Sequence, residues 1–157
     1  RGSSNIIKNS PPKADPPRVE KCKIQNYSSK FKIMADNQEF KKQLITRAFQ
    51  FARNVIKLVD HFPQKRSAWV ISDQLLRAAM SIGANIIEAQ AASSKKDFIN
   101  FLNHALKSGN ETKFWLALAK DIVPQEKENI DSLLKECGEL VKILGASIST
   151  LKGKKLV

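Results

Sequence analysis

Residues 74–90 read Gln-Leu-Leu-Arg-Ala-Ala-Met-Ser-Ile-Gly-Ala-Asn-Ile-Ile-Glu-Ala-Gln, and their period decides the fold. Leu75, Ala78, Ile82, Ile86 and Ala89 recur at steps of three and four, which is one face of an α-helix. Trp69, Leu76, Met80, Gly83 and Ile87 form a second apolar stripe about 100° further round. Gln74, Ser81 and Asn85 lie on the border between the main stripe and the polar face, with Glu88 adjacent. An amide or hydroxyl at such a border is tolerated when it finds a partner.

The same period continues outward on both sides. Phe40, Leu44, Phe51, Val55, Leu58 and Phe62 define a first helix of about 37–61, ended by Pro63, which disfavours helix at the residue before it. Ser67 is the expected cap of a second helix, 68–91. Ser93 or Ser94 caps a third, 95–121, with Phe98, Phe101, Leu102, Ala105, Leu116, Ala119 and Val123 on its stripe. Pro124 suits the first turn of a fourth, 125–151, carrying Ile130, Leu133, Leu134, Cys137, Leu140, Val141, Leu144, Ile148 and Leu151. No run alternates with the period of two that strands need. Short connections make successive helices antiparallel neighbours, so the expected fold is all-α, an up-down-up-down four-helix bundle.

A monomeric bundle needs one stripe per helix, yet Phe49 beside the first stripe, the Trp69 stripe on the second, and Phe114, Leu118 and Ile122 late on the third widen the apolar arc. Either the core is thick and irregular, or Phe49, Trp69, Leu76, Met80, Ile87, Phe114, Leu118 and Ile122 form a surface buried between subunits; the pattern favours the second.

The chain has 157 residues, one domain's worth, with 27 Lys and Arg against 15 Asp and Glu for a net charge of +12. Residues 1–33 hold four of the six prolines and eight basic side chains against two acidic ones, with few apolar residues at periodic spacing. They read as a disordered basic leader, either upstream of a natural start at Met34 or acting as an arm that touches nucleic acid. Residues 34–157 hold the bundle and a short basic tail. Cys22 and Cys137 lack any paired spacing and no signal-like segment opens the chain, which suits a reduced, cytoplasmic protein. No stretch approaches the roughly 18 consecutive apolar residues of a membrane helix.

On the third helix Asn100, His104, Lys107, Glu111 and Trp115 share a side, with Ser108 close to the core edge. Antiparallel packing brings them against Gln74, Ser81, Asn85 and Glu88 as a polar seam that fixes register. If that seam is buried, Asn85→Leu costs on the order of 1–3 kcal/mol.

The order of these residues also carries a resemblance. SIGANIIEAQ followed by SSKKDFINFLNHALKSGNETKFWL resembles the bacterial four-helix bundle proteins related to the 23S rRNA intervening-sequence protein, over residues 38–151. Gly83 stands where many relatives carry proline, and Ala89 where many carry glycine. The resemblance implies a homo-oligomeric ring, typically a pentamer, which would give the second stripes a use. The accessory variability protein of diversity-generating retroelements is similar; through it the resemblance implies a basic pentamer that binds nucleic acid and a reverse transcriptase.

The inventory for catalysis is thin: two histidines, two distant cysteines, one tyrosine and no glycine-rich phosphate loop. Neither His61 nor His104 follows a glutamate at the spacing of a di-iron bundle. His104 with Glu88 and Glu111 is the one trio offered to a metal, and a hydrogen-bonded seam is the commoner outcome. No enzyme, metal or cofactor is expected. The functional signal lies in the basic residues: Arg53 and Lys57 on the first helix, Lys65 and Arg66 in the first loop, Lys95 and Lys96 before the third helix, and Lys152, Lys154 and Lys155 at the end. Residues 34–157 carry a net +6, or +30 in a pentamer, enough for salt-sensitive binding of RNA or DNA by charge and shape. Trp69, Trp115 and most phenylalanines fall at helical positions expected to be buried, so sequence-specific reading is not expected. The rival is a protein-interaction scaffold whose charge serves solubility.

Overall fold

The computed structural model describes residues 18–153, with side chains from residue 37 onward. Four α-helices and one short 3₁₀ turn make up the described residues, which contain no strand. They are α1 (Arg18–Val59), α2 (Arg66–Ala89), α3 (Lys95–Ile122) and α4 (Lys127–Leu151), with the 3₁₀ turn Pro124–Glu126 before α4. The chain divides into two units, Arg1–Glu39 and Phe40–Val157, and the second contains the core. Residues 1–17 and 154–157, including Lys154 and Lys155, lie outside the described residues.

α1 begins at Arg18 rather than near residue 37. No proline lies between Arg18 and Phe62, and once a helix is nucleated each added residue costs little. α2 starts one residue before the expected Ser67 cap; Lys65 occupies the N-cap, its carbonyl accepting from the Trp69 N–H at 3.0 Å, and makes no side-chain cap because an ammonium group has no acceptor. α3 is capped as the sequence indicates. Ser94 accepts from the Asp97 N–H at 3.1 Å, and Asp97 accepts from the Ser93 N–H at 3.2 Å.

Contacts between helices fix the topology. Ser81 meets Ser108 across α2 and α3. Gly109 meets Cys137, and Lys120 pairs with Asp131, across α3 and α4. Arg47 bonds Glu136 and His61 bonds Glu126 across the α1 and α4 side. In the last two pairs of helices one residue number rises as the other falls, as antiparallel neighbours require. The Cβ of Ala48 lies 3.8 Å from the ideal Cβ position of Gly83, placing α2 beside α1. The square of helices α1, α2, α3, α4 closes on itself around a core of Phe51, Leu58, Leu75, Ile82, Ile86, Leu116, Ile130, Leu140 and Leu144, all essentially fully buried. Phe40 departs from its stripe: it begins this unit and remains 46% exposed.

Candidate nucleic-acid interface

Up-down-up-down topology brings the start of α3 and the end of α4 to the same end of the bundle. Lys95 and Lys96 occupy the first turn of α3, and Lys152 is the C-cap of α4. Together with Ile99, Asn100 and Asn103 they line an open groove of about 460 Å³. The only carboxylate in the first turn of α3, Asp97, is engaged by Ser93, whose backbone N–H donates to it at 3.2 Å. Among the described residues no hydrogen bond or ion pair engages the side chains of Lys95, Lys96, Asn100, Asn103 or Lys152. The α3 N-terminus adds its own positive field, while Lys152 offsets the negative end of α4. The groove therefore concentrates positive charge over an apolar contact at Ile99.

The other basic residues stand elsewhere. Arg53 and Lys57 are exposed on α1, Lys57 in its last turn, and Lys65 and Arg66 are exposed at the start of α2, all toward the opposite end of the bundle. The predicted basic set thus splits between two ends. The sequence pattern does not single out Asn103 or Ile99; the steps 96, 100, 103 and 107 on one helical face are the signal that marks Asn103.

The polar seam is narrower than the sequence suggests. Ser108 donates to Ser81 Oγ at 2.9 Å, and the Asn85 amide donates to Ser81 Oγ at 3.0 Å and to the Ser81 carbonyl at 2.8 Å. Buried Thr112, missed by the sequence reading, extends this line by donating to the Ser108 carbonyl at 2.7 Å. Gln74 turns to Asp73, and Glu111 accepts from Trp115 Nε1 at 3.3 Å. Glu88 and His104 are exposed. The long charged side chains reach water at the rim, and only the short hydroxyls and one amide fit between the helices. Among the described residues no group of three His, Cys, Asp or Glu side chains has the placement to hold a metal ion. Cys137 is buried and donates to the Gly109 carbonyl at 3.3 Å; loss of solvation pushes its thiol up to about 11.

Several aromatics are not buried within the chain. Phe49 is 63% exposed, Trp69 58% and Phe114 56%, and Met80 and Ile87 are also exposed, while Leu76, Trp115, Leu118 and Ile122 are half-buried. The Ala48 and Gly83 contact orients this surface. Ile45, Phe49 and Ile56 lie on the side of α1 nearest α2, and Trp69, Leu76, Met80 and Ile87 on the side of α2 nearest α1. These residues form one apolar face straddling the two helices. Phe114 lies apart on α3, its ring meeting that of Trp115 edge to face at 4.9 Å.

An antiparallel helical bundle with a lysine-lined groove at one end and an unpartnered apolar face defines the class. The sequence pattern of the 23S rRNA-intervening sequence protein family matches residues 40–146, and the chain belongs to that family. It is also similar to a solved protein of unknown function from the S23 ribosomal protein family of Bacteroides thetaiotaomicron VPI-5482. The two share 37% identity over 67% of this chain and 97% of that one, with a TM-score of 0.59. No curated protein matches. Among the described residues no helix is long and apolar enough to cross a membrane.

Proposed function

We propose that this protein is a cytoplasmic, non-enzymatic homo-oligomer that binds RNA or DNA through its basic surface, as an accessory to a nucleic-acid enzyme. The observation that carries this reading is the meeting of Lys95, Lys96 and Lys152 in one groove with no free carboxylate among its lining residues. Phosphates replace the condensed counterions of a polyanion with such ammonium groups, so binding is driven by counterion release. The apolar face of α1 and α2 supports self-association, since a patch of exposed Phe, Trp, Met and Ile is costly in water. A pentameric ring, the arrangement implied by the family resemblance, would repeat the groove five times. A reverse transcriptase is the enzyme partner that the resemblance to the accessory variability protein of diversity-generating retroelements would imply.

A salt titration of RNA and DNA binding by the full chain tests the reading. Affinity that falls log-linearly with salt supports it. Absence of binding at low salt, or binding indifferent to salt, moves the assignment to a protein-interaction scaffold.

A further inference from the structure

The α1 and α2 apolar face is assigned above to self-association and the buried Cys137 is explained by packing, which leaves the outer face of α3 unassigned. That face carries an inference. Lys96, Asn100, Asn103, Lys107, Asn110 and Phe114 all lie within about 40° of one line along α3, at 3.6 residues per turn, over a length of about 27 Å. None of the three amides has a side-chain partner among the described residues. An isolated row of three free Asn side chains and two free Lys is an unusual use of a helix surface, because Asn is a weaker helix former than Ala, Lys or Gln at solvent positions.

The row starts in the groove and ends on an exposed ring. In the groove, three ammonium groups surround Ile99 and the amides of Asn100 and Asn103. The groove is open to solvent, with a volume of about 460 Å³. At the far end, the 56% exposed Phe114 is braced edge-on by Trp115 and leaves ring surface to solvent. Glu111 is the carboxylate nearest the row on α3, and it accepts from Trp115 instead of lying free.

We infer that the outer face of α3, from the groove to Phe114, is a track for single-stranded nucleic acid, with one unstacked nucleotide seated in the groove. This rests on the nucleic-acid reading above and gives it a strand type and a path. The chemistry separates single strands from duplexes. A duplex keeps its base faces stacked inside, so it offers phosphates and groove edges but no face to lie against Ile99 or Phe114. An unpaired base can enter the groove, lie against Ile99 and present its hydrogen-bonding edge to amides that both donate and accept. Phe114 offers a stacking platform of the sequence-tolerant kind single strands use. Lys95, Lys96, Lys107 and Lys152 hold the phosphates.

The test compares fluorescein-labelled oligoadenylate with a duplex of equal length, by anisotropy, using the full chain and three variants: Asn100→Ala with Asn103→Ala, Phe114→Ala, and Lys95→Gln with Lys96→Gln and Lys152→Gln. Circular dichroism and mass in solution confirm that each variant keeps its fold and assembly. The wild type is expected to favour the single strand about tenfold. The Asn pair and Phe114→Ala each lower single-strand affinity about tenfold and leave duplex affinity within about twofold. The lysine variant weakens both and reduces the single-strand salt slope by about 2. Equal affinity for both strand types, or Asn and Phe variants that bind the single strand like wild type, overturns the track while leaving charge-driven binding intact. No binding of either probe overturns the broader reading and the track with it.

Discussion

Gly109→Ala should destabilise the bundle, although alanine is the better helix residue. In the interior of α3 the exchange alone would gain about 1 kcal/mol from helix propensity. A Cβ at this position, however, meets Val141 Cγ2 at 2.6 Å, where carbon pairs normally sit about 3.5–4.0 Å apart. Val141 cannot swing aside, since a β-branched side chain in a helix has one preferred rotamer. α4 must retreat by about 1 Å, and Cys137, one turn away, loses its contact with the Gly109 carbonyl. Overpacking of this kind costs about 1–3 kcal/mol, which set against that gain leaves a net loss of up to about 2 kcal/mol and a fall in melting temperature of up to roughly 8 °C. Gly138→Ala is the matched control: nothing lies within 4 Å of its added methyl, so it should gain up to about 1 kcal/mol. Urea unfolding at fixed protein concentration reads both, and adding Val141→Ala should recover part of the Gly109→Ala loss. If both glycine variants were stabilised alike, the close approach of α3 and α4 at Gly109 would be refuted.

Ser81 rather than Asn85 is the centre of the polar seam. Ser81→Ala removes the hydroxyl that accepts from Ser108 and Asn85, leaving Asn85 only the residue 81 carbonyl, and should cost about 1 kcal/mol, whereas Asn85→Leu leaves Ser81 bonded to Ser108 and should cost less; the reverse order in denaturant melts counts against the seam. The Cys137 thiol, raised from about 9 to about 11 by burial, stabilises the fold fully below pH 9 and loses that contribution as pH rises to 11. The stability gap between wild type and Cys137→Ala should therefore narrow by about 2 kcal/mol across that window; a constant gap would show the thiol is not buried. Phe49→Glu with Ile87→Glu places two charges on the α1 and α2 face and should reduce the mass in solution to that of the monomer. An unchanged mass assigns self-association to another surface.

Local signals were the ones the sequence carried openly. Leu75, Ile82 and Ile86 on α2, or Leu133, Leu140 and Leu144 on α4, are buried because a period of 3.6 leaves them on one face, and the Ser94 cap needs only the residue three places on. What a sequence lacks is the distance between helices. The groove exists because α3 starts where α4 ends, and Gly109 is required by Val141, which lies 32 positions later. Phe40 and the seam charges show the other limit: phase alone does not tell whether a neighbour covers the position, and Glu88 and His104 extend past the interface into water.

The most direct test of the central claim removes the same charge from two places. Lys95→Gln with Lys96→Gln and Lys152→Gln empties the groove of cations, while Arg53→Gln with Lys57→Gln and Lys65→Gln removes an equal charge from the opposite end. Measured against one RNA probe at one salt concentration, the groove variant should lose affinity about tenfold or more and the control no more than about threefold. Equal losses would mean that nucleic acid responds to the net charge of the protein and that the groove is not its site.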